Sequence, residues 1–265
     1  MNNIHFCSIA LLMFCSCVTA QPRQVFTAAA VSSQINLDTH PQDGTPTRYS
    51  LGAGLSRGNG FSDMGNPTGS TSIDFNGEFR ALDTLSIGLR PYYTNIDGVY
   101  DSDTHISAEL FLRWKFAETS SWAFSLYPVI RSGNNSASDT GTTCFLFFCT
   151  GNSLNTKATV SITDPALHVI TQYYFNKTSS IALVPGLQYT FIETSNNFHG
   201  GLFHSYKIRQ LAPSCMVYYS AVWSDTYDIS LVIGTGATLH SGFGGFNSKR
   251  HLNPVFHAGL QWGKK

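Results

Sequence analysis

Regular alternation of apolar and polar residues over long stretches is the feature that most constrains how this chain can fold. In residues 73–81, every odd position is apolar or glycine and every even position is polar or charged. Successive side chains of a β-strand point to opposite faces, so a period of two predicts a strand. The pattern recurs and predicts ten strands, at residues 49–57, 73–81, 85–94, 106–116, 122–132, 159–175, 181–194, 202–219, 227–239 and 252–262.

The length of these segments indicates what surrounds the strands. A tilted strand needs about 9–11 residues to cross a bilayer, whereas strands of soluble proteins centre on about 5–6 residues. Most of the predicted strands reach the longer figure. Beyond the N-terminal region, no stretch approaches the run of about 18 apolar residues that a transmembrane helix requires. The strand lengths therefore favour a membrane over water.

The connections between the strands fall into two classes that alternate along the chain. Short polar turns occur at residues 83–84, 118–119, 177–178 and 225–226. Longer connections occur at residues 58–70, 95–104, 133–156, 195–201 and 240–250. Short turns on one side and long loops on the other are typical of bacterial outer-membrane barrels. An even number of strands also places both ends of the barrel on the short-turn side.

Closure of the sheet follows from the chemistry of lipid. Every backbone N–H and C=O in the hydrocarbon must be paired within the protein, and a closed barrel does this without leaving an edge. We therefore predict an all-β fold, a transmembrane antiparallel up-and-down β-barrel of about ten strands at residues 49–262. The alternative fold is a secreted soluble β-sandwich that binds a ligand.

The N-terminal region has the features of an export signal. An apolar stretch at residues 9–15 is followed by Val18-Thr19-Ala20, which supplies the small residues that a signal peptidase reads. We predict a signal peptide at residues 1–20. Residues 21–48 are interpreted as a periplasmic lead-in or a plug segment. The predicted location of the mature protein is the bacterial outer membrane.

The charge balance bears on the partners. Lys+Arg and Asp+Glu both number 16, so the formal net charge is zero and no basic surface for nucleic acid is indicated. The predicted partner is outer-membrane lipid, which suits a chain with 13% aromatic residues. Small solutes, or an extracellular partner bound through the long loops, remain open as further partners.

These features resemble the small outer-membrane β-barrels of Gram-negative bacteria. The Ala20-Gln21 junction and the strand prolines Pro91, Pro128 and Pro185 are similar to the Bacteroidetes versions of such porin-like barrels. The resemblance covers residues 49–262 and implies the barrel architecture. It identifies no subfamily and implies no particular activity.

Charged residues on the polar faces of the strands are predicted to line the lumen. Two functions are open for them: a narrow pore, or a salt-bridged filling of a small lumen. The filling is favoured, because a barrel of about eight strands is already filled by side chains and ten strands are only modestly wider. The predicted lumen residues are Asp74, Glu78, Arg80, Arg90, Glu109, Arg113, Arg131, Lys207, Arg209 and Asp228.

No catalytic, cofactor or metal site is predicted. Asp101-Ser102-Asp103 resembles the Asp-x-Asp of the ten-stranded omptin proteases, but the fourth loop offers only His199 without the Asp of an Asp-His pair. A solvated acidic loop is the favoured interpretation. Five histidines lie towards the long loops, at positions 105, 199, 204, 240 and 251, without the close spacing of a metal site.

Three cysteines remain after the predicted signal. Cys144 and Cys149 bracket four apolar residues within a long polar connection, and they can pair in an oxidising compartment. Cys215 is left without a predicted partner. The sequence thus predicts a non-enzymatic outer-membrane barrel with a structural, surface-interaction or narrow-pore role. A barrel enzyme that acts at the outer rim, omptin-like or lipid A-modifying, is the alternative.

Overall fold

The computed structural model describes residues 26–29, 37, 48–62, 67–96, 103–145, 148–197, 203–224, 228–241 and 250–264. The described residues contain eleven β-strands: β1 Phe26–Ala29, β2 Tyr49–Ser62, β3 Pro67–Leu82, β4 Leu85–Ile96, β5 Asp103–Glu118, β6 Trp122–Phe145, β7 Phe148–Tyr174, β8 Ser179–Asn197, β9 Phe203–Ser224, β10 Ile229–Ser241 and β11 Arg250–Lys264. No helix in the described part of the chain is long and apolar enough to cross a membrane.

Ten of these strands close into a barrel. From β2 to β11, each strand pairs antiparallel with the next one in sequence, and β11 pairs back onto β2. Closure is extensive, because the register between β2 and β11 runs continuously from Tyr49↔Lys264 to Gly58↔Val255. The predicted antiparallel up-and-down barrel of about ten strands is confirmed.

The short strand β1 is not one of the ten strands that close the barrel. It pairs only with the end of β2, where Ala29 lies opposite Gly60 and Phe26 lies opposite Ser62. That end of β2 is the one nearest the long connections. The predicted signal peptide, residues 1–20, lies outside the described residues, as does most of the predicted lead-in or plug at 21–48.

The two faces of the wall are chemically opposite. On β3, Phe75 is 60% exposed on the outer face, whereas its neighbour Asp74 is 1% exposed on the inner face. Leucine, isoleucine, phenylalanine and tryptophan side chains continue the exposed outer surface around the barrel. Such an extensive exposed apolar surface is stable only when lipid covers it.

Aromatic side chains form a belt on the outer face at the short-turn end. The ring centroids of Trp122 and Tyr173 are 4.7 Å apart, and those of Tyr49 and Phe79 are 5.3 Å apart. Trp114 also lies in this belt, near the end of β5. Aromatic rings favour the boundary between hydrocarbon and headgroups, so this belt marks one edge of the membrane.

The structure corrects one predicted loop. Residues 133–156, predicted as a long connection, are mostly strand: β6 and β7 pair from Trp122↔Tyr173 up to Phe145↔Phe148. The pairing of β6 with β5 ends at Asn135, and that of β7 with β8 ends at Lys157, the partner of Ser138. From there to Phe145, β6 and β7 continue beyond their neighbours as a two-stranded ribbon. Polar residues on both faces concealed these strands, because a ribbon in water needs no apolar face.

The same register bears on the predicted disulfide. Cys144 and Cys149 lie directly opposite each other near the end of the ribbon. Their side chains lie outside the described residues, so the disulfide stays a prediction. Cys215 is a free, exposed cysteine on the outer face of β9.

A charge on the lipid-facing surface tests the position of the membrane. Leu89 is 55% exposed on the outer face of β4, between the two ends of the strand. We expect Leu89→Arg to destabilise the folded barrel by about 2–4 kcal/mol, the cost of a cation near the bilayer midplane. The measurement is urea unfolding of the protein in lipid vesicles.

The matched control for this substitution is Leu82→Arg. Leu82 lies at the end of β3, where the arginine can reach the headgroups, so its cost should fall to about 0–1 kcal/mol. Equal costs at the two positions would contradict a lipid-covered wall.

Candidate functional site

A charged cluster lies in the lumen along the consecutive strands β3 to β6 and centres on Arg90 of β4. Its Nη1 lies 2.5 Å from Oε1 of Glu109, and its Nη2 donates a hydrogen bond to the Tyr127 hydroxyl over 3.1 Å. Tyr92 donates a hydrogen bond to the other oxygen of Glu109. Oδ2 of Asp74 lies 3.8 Å from Nε of Arg90. These five residues are called the Arg90 cluster below.

The strand register positions the cluster. Arg90 and Glu109 are direct partners between β4 and β5, and Asp74 lies opposite Tyr92 between β3 and β4. Residues that are opposite each other on one face of a sheet have neighbouring side chains, so the pairing of the charges follows from the backbone. Arg90 and Glu109 are both 0% exposed, which means that water does not reach the centre of the cluster.

Two further ion pairs flank the Arg90 cluster. Arg113 donates from its Nε to Oε1 of Glu78 over 2.9 Å. Arg131 lies with Nη1 3.6 Å from Oδ2 of Asp164. Each of these buried cations therefore has an acidic partner, as a low-dielectric interior requires.

Aromatic rings complete the packing around the cations. The guanidinium of Arg90 lies 5.1 Å from the centroid of the Phe111 ring, and that of Arg131 lies 5.4 Å from the Tyr92 ring. Phe111 in turn stacks on Tyr127 at 5.0 Å. The arrangement provides paired charges and flat apolar surfaces, and it is suited to filling space.

Apolar side chains, which the sequence prediction missed, occupy part of the lumen away from the Arg90 cluster. Val184, Tyr218 and Val232 are fully buried on the inner faces of β8, β9 and β10. They form one cluster with inner-face residues of other strands, including Phe111 and Tyr127. In these strands the outward positions are also apolar, so the alternation of polarity that marks the inner face is weak.

Most of the predicted lumen residues lie on the inner face in the structure. Arg80 is half-buried near the short-turn end, and its backbone N–H donates to the carbonyl of Arg48 over 2.9 Å. The others are buried: Asp74, Glu78, Arg90, Glu109, Arg113 and Arg131.

Two of the predicted lumen residues lie elsewhere. Arg209 is exposed on the outer face of β9, with its guanidinium 5.9 Å from the Phe191 ring centroid. It lies outside because the even positions of β9, such as Tyr218, face inward. Asp228 is exposed in the turn before β10, at a φ of 51°. The side chain of Lys207 lies outside the described residues.

Two histidines that the prediction did not single out lie within the barrel. His257 is buried on the inner face of β11, and His168 of β7 lies 6.2 Å from Tyr127 between ring centroids. Each histidine is separated by an even number of positions from other inward residues of its strand. This spacing was the signal that could have identified them as lumen residues. Within the described ranges, no group of three His, Cys, Asp or Glu residues could hold a metal ion.

The predicted rim residues cannot be placed. Asp101 and His199 lie outside the described residues. Asp103 and His105 belong to β5 and His204 to β9, but their side chains lie outside the described part. The same holds for His240 and His251.

Comparison with known proteins identifies the fold. No family model and no curated protein sequence matches the chain. The translocator domain of the autotransporter NalP from Neisseria meningitidis is 12% identical, with a TM-score of 0.50 over 83% of this chain and 91% of that one. The outer membrane protease OmpT from Escherichia coli is 10% identical, with a TM-score of 0.49 over 82% and 95%. At these identities, the likeness concerns the fold alone.

The wall and the closure together give the location. An exposed apolar outer face, an aromatic belt and a closed antiparallel sheet of ten strands with short turns at one end are the features of a bacterial outer-membrane barrel. The protein is a small outer-membrane β-barrel, and it lies in the outer membrane.

Removal of one charge from the Arg90 cluster tests its role in stability. We expect Arg90→Met to destabilise the barrel by about 3–5 kcal/mol, because Glu109 is left buried without its cation. The double variant Arg90→Met/Glu109→Leu should recover much of that loss. Urea unfolding in vesicles measures both. A double variant that is less stable than the single one would contradict a mainly space-filling role.

Proposed function

We propose that this protein is a non-conducting, non-enzymatic outer-membrane barrel whose closed lumen supports an extracellular interaction surface. The observation that carries this proposal is the complete burial of Arg90 and Glu109 in the middle of the lumen. A pore that passes ions keeps its charged groups in contact with water. Here the charges are paired with each other and covered by aromatic rings.

Apolar filling of the lumen supports the same proposal. Tyr218, Val232 and Val184 occupy the interior at positions where a water-filled channel needs polar side chains. Ion pairs and apolar side chains together leave the barrel with a packed interior like that of a soluble protein. A solute path through the described residues would require several of these side chains to move at once.

The ribbon formed by β6 and β7 supports the interaction part of the proposal. Beyond Ser138, whose partner Lys157 is the last residue of β7 that pairs with β8, the ribbon extends seven residues further to Phe145, or about 23 Å at about 3.3 Å per residue. It is on the side of the long connections, which faces away from the cell. The proposed ligand is an extracellular partner that binds to the long connections and the ribbon.

A Bacteroidetes-type origin is a further part of the proposal. Its support is the set of strand prolines, since Pro91 and Pro185 both lie exposed on the outer face in the interior of their strands. Proline lacks the N–H that a ladder needs, so such positions are unusual in sheets. The strand prolines are therefore the feature that supports the resemblance to the Bacteroidetes barrels.

Conductance in planar bilayers tests the proposed function. We expect the refolded mature protein to insert without ohmic current steps at about 1 M KCl, because the described charged residues of the lumen are buried in ion pairs. Heat-modifiable gel migration of the same preparation serves as the control for folding. Reproducible ohmic steps from folded protein would contradict the proposal and favour a narrow pore.

A further inference from the structure

A groove lies in the outer wall of the barrel, on the lipid-facing side of β2 to β5. Its floor is Gly77 of β3, which occupies an outward position between Phe75 and Phe79. Those two phenylalanines are 60% and 43% exposed, so a residue without a side chain between them leaves a depression in the wall. The depression has a volume of about 390 Å³. It is called the Gly77 groove below.

Apolar side chains of the neighbouring strands form the sides of the Gly77 groove. The register places Leu51 of β2 and Leu89 of β4 directly opposite Gly77, one on each side. Ser50 and Glu78 also border the groove, but they are buried and belong to the lumen-facing set. The exposed outward side chains that face an occupant are therefore mainly hydrocarbon: Leu51, Ile87, Leu89 and Leu110.

The space above Gly77 is open. A β-carbon added at this position would lie 3.6 Å from Cδ2 of Leu51, which is an ordinary van der Waals contact. Apart from the adjacent residues, no other atom of the described chain comes within 4 Å of that point. An added β-carbon at Gly88, which faces the lumen, would instead overlap the ring of Phe111. The outer groove is therefore empty of protein at its floor, whereas the lumen behind it is filled.

The groove begins at one edge of the membrane. Tyr49 and Phe79 line its short-turn end, and both rings belong to the aromatic belt. Short turns of outer-membrane barrels face the periplasm, so this end opens towards the periplasmic headgroups. From β2 to β5 the groove crosses three strand spacings of about 4.8 Å, or about 14 Å. One leaflet of a hydrocarbon core about 30 Å thick is about 15 Å deep, so the two lengths are similar.

We propose that the Gly77 groove binds one acyl chain of a phospholipid from the periplasmic leaflet, and that this lipid stays bound when the surrounding lipid is removed. An acyl chain is narrow, flexible and apolar, so it can enter a depression that is one residue wide. Contact with the floor and both sides gives it more van der Waals attraction than a flat wall provides. The proposal depends on the lipid-covered outer face, and it can fail while the lumen remains closed.

A second copy of the barrel fits the groove less well than an acyl chain does. Barrel walls are convex, so a second wall would contact the projecting rings of Phe75 and Phe79 and would not reach Gly77. The lining also offers the occupant few polar groups, which a protein segment with its backbone N–H and C=O groups would need. Lipid chemistry therefore suits the groove best.

Photochemical labelling tests the proposal. The mature protein is folded into vesicles of phosphatidylcholine that includes a lipid with a diazirine in one acyl chain. It is then extracted into mild detergent, separated from free lipid and irradiated, and mass spectrometry counts and maps the labels. We expect one retained lipid per barrel, with labels concentrated on Leu51, Leu89 and Leu110. Absence of retained lipid, or labels spread evenly to outward residues such as Leu183 and Leu211, would overturn the proposal.

The matched pair of variants is Gly77→Leu and Ala258→Leu. A leucine at position 77 occupies the floor of the groove, and we expect it to lower the retained lipid about tenfold through steric overlap with the acyl chain. Ala258 is exposed on the outer face of β11, opposite Leu55 and away from the groove, so its variant should retain lipid as the parent does. Unchanged retention in Gly77→Leu, or equal loss in both variants, would contradict the proposal.

A smaller substitution guards against a variant that disturbs folding. Gly77→Ala adds one carbon that makes only an ordinary contact with Leu51, so the barrel should keep its heat-modifiable migration. Its retained lipid should fall about twofold, between the values of the parent and of Gly77→Leu. Retention in Gly77→Ala below that of Gly77→Leu would count against the groove. A lipid-free dimer that Gly77→Leu dissociates would replace the proposed lipid with a second copy of the chain.

Discussion

Backbone pairing between β2 and β11 is the constraint on which the rest of the structure depends. In lipid, an unpaired N–H or C=O costs several kcal/mol, so a ten-stranded sheet with two free edges is not stable there. The continuous register from Tyr49↔Lys264 to Gly58↔Val255 removes both edges at once. Closure also divides the side chains into a lipid-facing set and an enclosed set, and that division determines what the lumen can contain.

Because the lumen is enclosed, its side chains pack against one another like those in the core of a soluble protein. Among the described residues, Arg90 pairs there with Glu109, and apolar side chains such as Val184 and Tyr218 are buried elsewhere in the lumen. Leu37 is also held in this interior, by two hydrogen bonds between its backbone and the side-chain amide of Gln261.

The sequence predicted the wall well and the lumen only in part. Strong alternation in residues 73–81 identified β3 and the inward position of Asp74, because lipid and lumen demand opposite chemistry on alternate residues. Where that contrast is absent, the alternation of polar and apolar residues does not show which side chains face the lumen. On β9 both faces are apolar, so Arg209 was predicted to face inward although it lies outside. The ribbon was predicted as a loop because residues 133–156 are mostly polar and do not alternate with apolar residues.

Cross-linking across the seam between β2 and β11 tests closure most directly. Leu55 and Ala258 are direct partners in the register, and Leu55 is exposed on the outer face. In a background without other cysteines, we expect Leu55→Cys/Ala258→Cys to form an intramolecular disulfide in the vesicle-embedded protein, with altered migration after denaturation. The offset pair Leu55→Cys/Val255→Cys should not cross-link. Absence of the disulfide in the first pair, or equal cross-linking in both, would contradict a closed barrel in this register.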